Sequence, residues 1–171
     1  MSLALPAQYE GAFAQPNPQY QLSNPPYPSA PAGAGQFVAA PANGGTIQGR
    51  FGWGDPFTGH VTNTPVAGVT LCVVVPIVGW RASWGRVFFD PTVKGVRIRA
   101  GLPVTVVNAG PFWLRFASGA VAGQRVYASN VDGSAISGDT GGAITPTQWT
   151  VSTRCGPGGL AIVSTSAFYG A

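Results

Sequence analysis

Phe112-Trp113-Leu114-Arg115-Phe116 and Val96-Arg97-Ile98-Arg99 carry their apolar side chains on alternate positions, the period of a strand with one face in a core and one face outside. Outward from these two stretches the chain breaks into short segments of the same kind, at residues 46–53, 59–63, 69–75, 85–89, 96–100, 103–107, 112–117, 125–128, 148–154 and 160–165. Turn formers stand between them: Asn108-Ala109-Gly110, Asp132-Gly133, Gly138-Asp139 and Gly156-Pro157-Gly158-Gly159 start turns or tolerate positive φ. Short strands recurring about every ten residues predict an all-β fold, a single sandwich or jelly-roll-like barrel. The Gly-, Ser- and Thr-rich stretch 129–147 reads as an exposed hairpin and loop. No repeat of solenoid or propeller length appears.

Composition agrees. The 171 residues are 45% hydrophobic and only 8% charged, the opposite of a chain too polar to bury a core. With 25 Gly, 16 Pro, one Met and a single lysine, Lys94, the sequence lacks the long runs of helix formers that a bundle requires. Eight prolines (Pro6, Pro16, Pro18, Pro25, Pro26, Pro28, Pro31 and Pro41) fall in residues 1–45, where they exclude a helix and a central strand. The division expected is an extended Pro-rich arm, 1–45, followed by a β domain, 46–171. The aromatics Tyr9, Phe13, Tyr20, Tyr27 and Phe37 recur along the arm. Spaced rings on a stiffened chain suit docking in a partner's groove.

The formal charge of +4 comes from nine Lys and Arg against five Asp and Glu. The basic residues are scattered from Arg50 to Arg154 and form no cluster for phosphates, so direct nucleic-acid binding is not expected. So few charges on so apolar a chain instead predict a surface covered by a protein partner. Neither a signal peptide nor a membrane segment is read: the near-apolar run 71–80 is about half a span long and contains Pro76. Cys72 sits in an apolar run and reads as a buried thiol, with pairing to Cys155 as the alternative.

Catalytic chemistry finds little to work with. His60 is the single histidine, and no Gly-x-Ser-x-Gly accompanies it and the nearby Asp55, so it reads as a polar turn residue. One His and two separated Cys leave a zinc site incomplete. Asp139-Thr140-Gly141 lacks both the second aspartate and the apolar strand that an aspartic protease needs. The carboxylates Glu10, Asp55, Asp90, Asp132 and Asp139 lie mostly in turn contexts. No enzyme, metal or cofactor is expected. Trp53, Trp80, Trp84, Trp113 and Trp149 are core or interface mass; Trp80 and Trp84, with Arg81 and Arg86 beside them, are candidate exposed binding aromatics.

Several motifs taken together resemble a known family. Gly49-Arg50-Phe51-Gly52-Trp53, Gly59-His60-Val61-Thr62-Asn63, Gly110-Pro111-Phe112-Trp113-Leu114-Arg115-Phe116, Gly123-Gln124-Arg125-Val126-Tyr127-Ala128 before Asp132-Gly133, and Leu160-Ala161-Ile162-Val163-Ser164-Thr165 are similar in order and spacing to the capsid cement, or head decoration, proteins of tailed bacteriophages. The resemblance runs from about Gly49 to the C-terminus and leaves the arm outside. It implies a non-enzymatic, β-rich virion protein on the exterior of the capsid. Its partners would be the major capsid protein and further copies of itself, as a dimer or trimer, with terminal arms laid on adjacent subunits. An extended arm of some 40 residues would reach ~100 Å. The alternative is a carbohydrate-binding, adhesin-like module on the virion surface, using Trp80 and Trp84.

Overall fold

The structure, a computed structural model, describes residues 37–67, 70–75, 87–92, 95–138 and 140–165. Apart from one 3-10 turn at Ala42–Gly44, its regular elements are strands. In chain order they are β1 (Val38–Ala39), β2 (Gly45–Ile47), β3 (Phe51–Asp55), β4 (His60–Thr62), β5 (Thr70–Val75), β6 (Val87–Asp90), β7 (Gly95–Arg99), β8 (Thr105–Val107), β9 (Phe112–Phe116), β10 (Arg125–Ser129), β11 (Ala135–Ser137), β12 (Ile144–Val151) and β13 (Gly159–Ser164).

The last five close into a barrel in the order β10-β11-β9-β13-β12, which decides between the sandwich and the barrel. Its longest seam pairs β9 with β13 antiparallel, from Phe112 opposite Val163 to Phe116 opposite Gly159. The alternation of β9 places Phe112, Leu114 and Phe116 inside, with Trp113 and Arg115 half-buried on the other face. Val126, Ala128, Trp149, Val151, Ala161 and Val163 pack with them. A small barrel packed with its own side chains has no exposed strand edge to manage.

A second ring precedes it. The sheet β1-β4-β3-β5-β8 is open by strand order, but its two edges meet. Val38 bridges Pro103 antiparallel, Ala39 N donates to Leu102 O at 2.9 Å, and Val104 N donates to Phe37 O at 3.0 Å. The segment leading into β8 therefore bonds back to β1, and the five strands enclose a small core of Ala39, Val61, Val104 and Val106 with Phe37 and Leu102 packed on it. The third sheet, β2-β7-β6, lends Ile98 to the same core.

Three details differ from the sequence reading. The segment 46–53 is two strands in two sheets, β2 and β3, separated by a turn at Gln48-Gly49-Arg50. Stretch 129–147 holds β11 and the first half of β12. Here Pro146 is tolerated because the β10–β12 register shifts between Arg125 and Tyr127; bulges admit proline where a regular ladder would not. The Thr147 hydroxyl sits in that irregularity, donating to Val126 O at 2.6 Å and accepting from Trp149 N at 3.2 Å. Finally, the chain joins the β fold at Phe37, before residue 46: β1 runs parallel to β4, with Val38 opposite His60.

The two rings are joined by a polar junction and by Phe51, Trp53 and Val107, which enter the barrel core. The Arg50 guanidinium meets the Asp132 carboxylate at 2.6 Å, and Phe51 N donates to Gly133 O at 2.8 Å. A Cβ on Gly133, which has a φ of +71°, would lie 2.2 Å from Phe51 O, so the turn between β10 and β11 approaches β3 as closely as only glycine allows. The buried Asn63 side chain accepts from Ile47 N at 2.6 Å and donates to Ile47 O at 3.3 Å and Phe51 O at 2.9 Å, tying β2 to β3. Phe51 then lies in the barrel core against Trp149, ring centroids 5.4 Å apart.

Candidate functional surface

Of the residues that sequence singles out for partner binding, Phe37 is described. Its ring packs on the second core and lies over Gly54, where an added Cβ would meet Phe37 Cε1 at 3.2 Å. Phe37 is thus a packing residue at the point where the arm joins the fold. Tyr9, Phe13, Tyr20, Tyr27, Trp80 and Trp84 lie outside the described residues. Trp53 and Trp149 are buried in the barrel core, and Trp149 donates its indole N–H to Gly110 O at 3.1 Å. Trp113 is half-buried on β9.

The groups weighed for catalysis serve structure where they are described. Asp55 accepts from Phe57 N and from the Thr58 hydroxyl, each at 2.8 Å. The Thr58 hydrogen bond is the chief reason its carboxyl is held below the usual carboxylate range. His60 opens β4 opposite Asp55. Burial acts to raise the carboxyl pKa of Asp132, but hydrogen bonds from Ser134 and the Arg50 charge outweigh it and leave it lowered. Cys155 is a free, half-buried thiol against the barrel core, its pKa pushed up by burial. Asp139 is outside the described residues. Among the described residues no three His, Cys, Asp or Glu side chains gather as metal ligands, and no helix is long and apolar enough to cross a membrane.

What the surface does offer is contact area. Phe57, Val131, Val121 and Val66 are large apolar side chains left in water. Phe57 caps the β3–β4 turn, Val131 the β10–β11 turn, and Val121 the connection after Ala120. Sequence reading passed over Phe57 because it falls between the segments 46–53 and 59–63. The signal was present: an apolar residue at the tip of a Pro- and Gly-marked turn has nowhere to be buried.

A tandem of small rings with packed interiors, apolar turn tips and a Pro-rich leading segment defines a structural, interaction-based protein. Over residues 1–166 the chain matches the family described as structural cement protein (E217 gp24/Pam3 gp6), and it belongs to that family. It is a structural cement protein of phage capsids, a virion component attached to the capsid exterior. The match begins at residue 1, so the arm is part of what the family shares, contrary to the expectation that it stands outside. A search of curated proteins gives no match to the chain.

Proposed function

We propose that the chain seats its β domain on the outer face of a phage head and bridges neighbouring major capsid protein subunits, with its leading arm laid along the shell or onto a sister copy. The observation that carries this is the family match across 1–166, which spans arm and domain together. Low charge and a Pro-stiffened arm with spaced aromatics support the same reading, since both favour a lasting apolar contact. Self-association as a dimer or trimer would let several weak arm contacts act together, raising the effective affinity without one large interface. Cementing is then additive: each copy links subunits that must separate when a head bursts.

The test uses heads of the encoding phage stripped of this protein. Adding back the purified full chain is expected to saturate regularly spaced outer sites and raise the temperature at which heads rupture. Heads that rupture at the same temperature with and without bound protein would refute the cementing role.

A further inference from the structure

Six asparagines occur in the chain, and one of them, Asn43, is followed by glycine. An asparagine carboxamide can be attacked by the main-chain nitrogen of the next residue, which closes a five-membered succinimide. Asn17 and Asn24 precede proline, whose nitrogen has no hydrogen to give up. The others differ in what surrounds the two reacting groups. Asn63 is buried, with its carboxamide in three hydrogen bonds to Ile47 and Phe51. Asn130 accepts from the Thr145 hydroxyl at 2.6 Å and precedes the β-branched Val131, whose N donates to the Ser129 hydroxyl at 3.2 Å. Asn108 is half-buried, with its Oδ1 out of contact with solvent, and precedes Ala109.

Asn43 combines the opposite features. It stands with Ala42 and Gly44 in the exposed 3-10 turn between β1 and β2. Among the described residues it is the one non-glycine with positive φ, at φ +57° and ψ +21°. A Cβ at Gly44 would meet nothing within 4 Å, so the space around the attacking nitrogen is open. Gly44 N donates to Pro41 O at 3.2 Å, one long hydrogen bond on a single turn, which opens at little cost. Glycine then gives the main chain the freedom to swing this nitrogen onto the Asn43 side-chain carbonyl carbon.

We infer that Asn43 is a site of spontaneous deamidation, its carboxamide taken by the Gly44 nitrogen, and that the isoaspartate formed there loosens the closure of the second ring. In the first step the bond from Gly44 N to Asn43 Cγ forms, the bond from Cγ to the side-chain nitrogen breaks, and the Gly44 amide proton leaves with that nitrogen as ammonia. Water then opens the imide at either carbonyl, giving aspartate or, with the chain routed through the side-chain carbon, isoaspartate. Isoaspartate adds one atom to the backbone where there is no slack. On one side Gly45 lies so close to β7 that a Cβ would stand 2.0 Å from Ile98 O. On the other, Ala40 N donates to Val61 O at 2.8 Å and Gly101 N to Ala39 O at 2.9 Å. The aspartate isomer leaves the backbone length unchanged and puts its charge on a residue whose carbonyl accepts from the Arg97 guanidinium.

Ageing the full-length chain in mildly alkaline buffer, followed by peptide mapping in a mass spectrometer and by isoaspartyl-specific methylation, tests this. Asn43 should convert at least about tenfold faster than Asn63, Asn108 or Asn130, since a difference of ~1.4 kcal/mol in barrier suffices, and Gly44→Ala should slow it by a similar factor. The aged chain should unfold at a lower temperature than the fresh one, while Asn43→Asp should match the fresh chain. Conversion at Asn43 no faster than at the other three would overturn the site. That comparison is made within the unaltered chain, so it stands even if Gly44→Ala, with its alanine held at a φ of +71°, folds poorly. Equal rates with glycine and alanine at position 44 would overturn the part given to Gly44. An isoaspartate-bearing chain as stable as the fresh one, or Asn43→Asp as unstable as the aged one, would overturn the loosening by a longer backbone.

Discussion

Replacing Gly133 with alanine probes the junction between the two rings, and Gly141→Ala supplies its control. Both glycines have left-handed backbones, with φ of +71° and +72°, so either substitution carries about 1 kcal/mol or somewhat more of backbone strain. They differ in surroundings. A Cβ on Gly141 meets nothing within 4 Å, while one on Gly133 would lie 2.2 Å from Phe51 O and 3.1 Å from Asn63 O. Relief requires the turn to withdraw from β3 by ~1 Å. That movement breaks the bond from Phe51 N to Gly133 O, at about 1 kcal/mol. It also stretches the Arg50–Asp132 pair, at about 1 kcal/mol once the partial exposure of Asp132 is allowed for. Gly133→Ala should therefore lose about 3–4 kcal/mol, lowering the unfolding temperature by roughly 10 °C, and Gly141→Ala about a third of that. Thermal unfolding followed by circular dichroism on both variants reads the difference. Equal losses would refute the close approach at Gly133 as a feature that joins the rings.

Asn63→Ala leaves Ile47 N, Ile47 O and Phe51 O without the amide that joins them, and should cost about 2–4 kcal/mol in a denaturant titration; a loss below ~1 kcal/mol would show that β2 and β3 hold together without it. Asp132 has a folded pKa lowered below its unfolded value, so its contribution is fully present above about pH 4 and is lost as the pH falls below that. The stability advantage of the unaltered chain over Asp132→Asn, on the order of 1 kcal/mol near neutrality, should shrink to nothing in acid; an advantage that persists at pH 2 would contradict the assignment. Removing residues 1–36 keeps Phe37 and β1, and the unfolding temperature of that truncation is the reference for a longer one. Removing 1–45 deletes β1 and its bonds to Gly59, Val61, Leu102, Gly101 and Val104, and should lower it by roughly 10 °C or more; equal stability of the two truncations would show that β1 does not close the second ring.

The sequence was most readable where period and burial coincide. In β9 the alternation of Phe112, Leu114 and Phe116 is the buried face of the barrel, and in β7 Ile98 is fully buried while Arg99 is exposed. It was less readable where a strand depends on distant partners. Ile144–Val151 carries Thr145 and Pro146 right after its first residue, and it is held by the shifted register against β10 and by the Thr147 hydroxyl; no local propensity signals this. Val38–Ala39 is two residues long and lies next to Gly- and Pro-rich chain. Its strand character comes from closing a ring between β4 and residues 102–104. The split of 46–53 was legible in part, since Gly49 interrupts the run, but the assignment of its halves to different sheets follows from Asn63, which reaches both.

The candidate surface was legible by class more than by residue. Sparse charge and the absence of a recognisable catalytic motif pointed to a partner-bound structural protein, and the family match agrees. Phe37 looked like one more arm aromatic, yet it packs on Gly54 and the second core. Phe57 looked like loop, yet it is the most exposed large apolar side chain among the described residues. Aromatic content alone does not separate these roles, because burial depends on where the chain returns.

A cryo-EM reconstruction of intact heads of the encoding phage tests the central claim most directly. The account predicts density for the two joined rings on the outer surface, repeated with the icosahedral lattice and touching at least two major capsid subunits per copy. A bare outer shell, or this density on a single subunit with no neighbour reached, would contradict it.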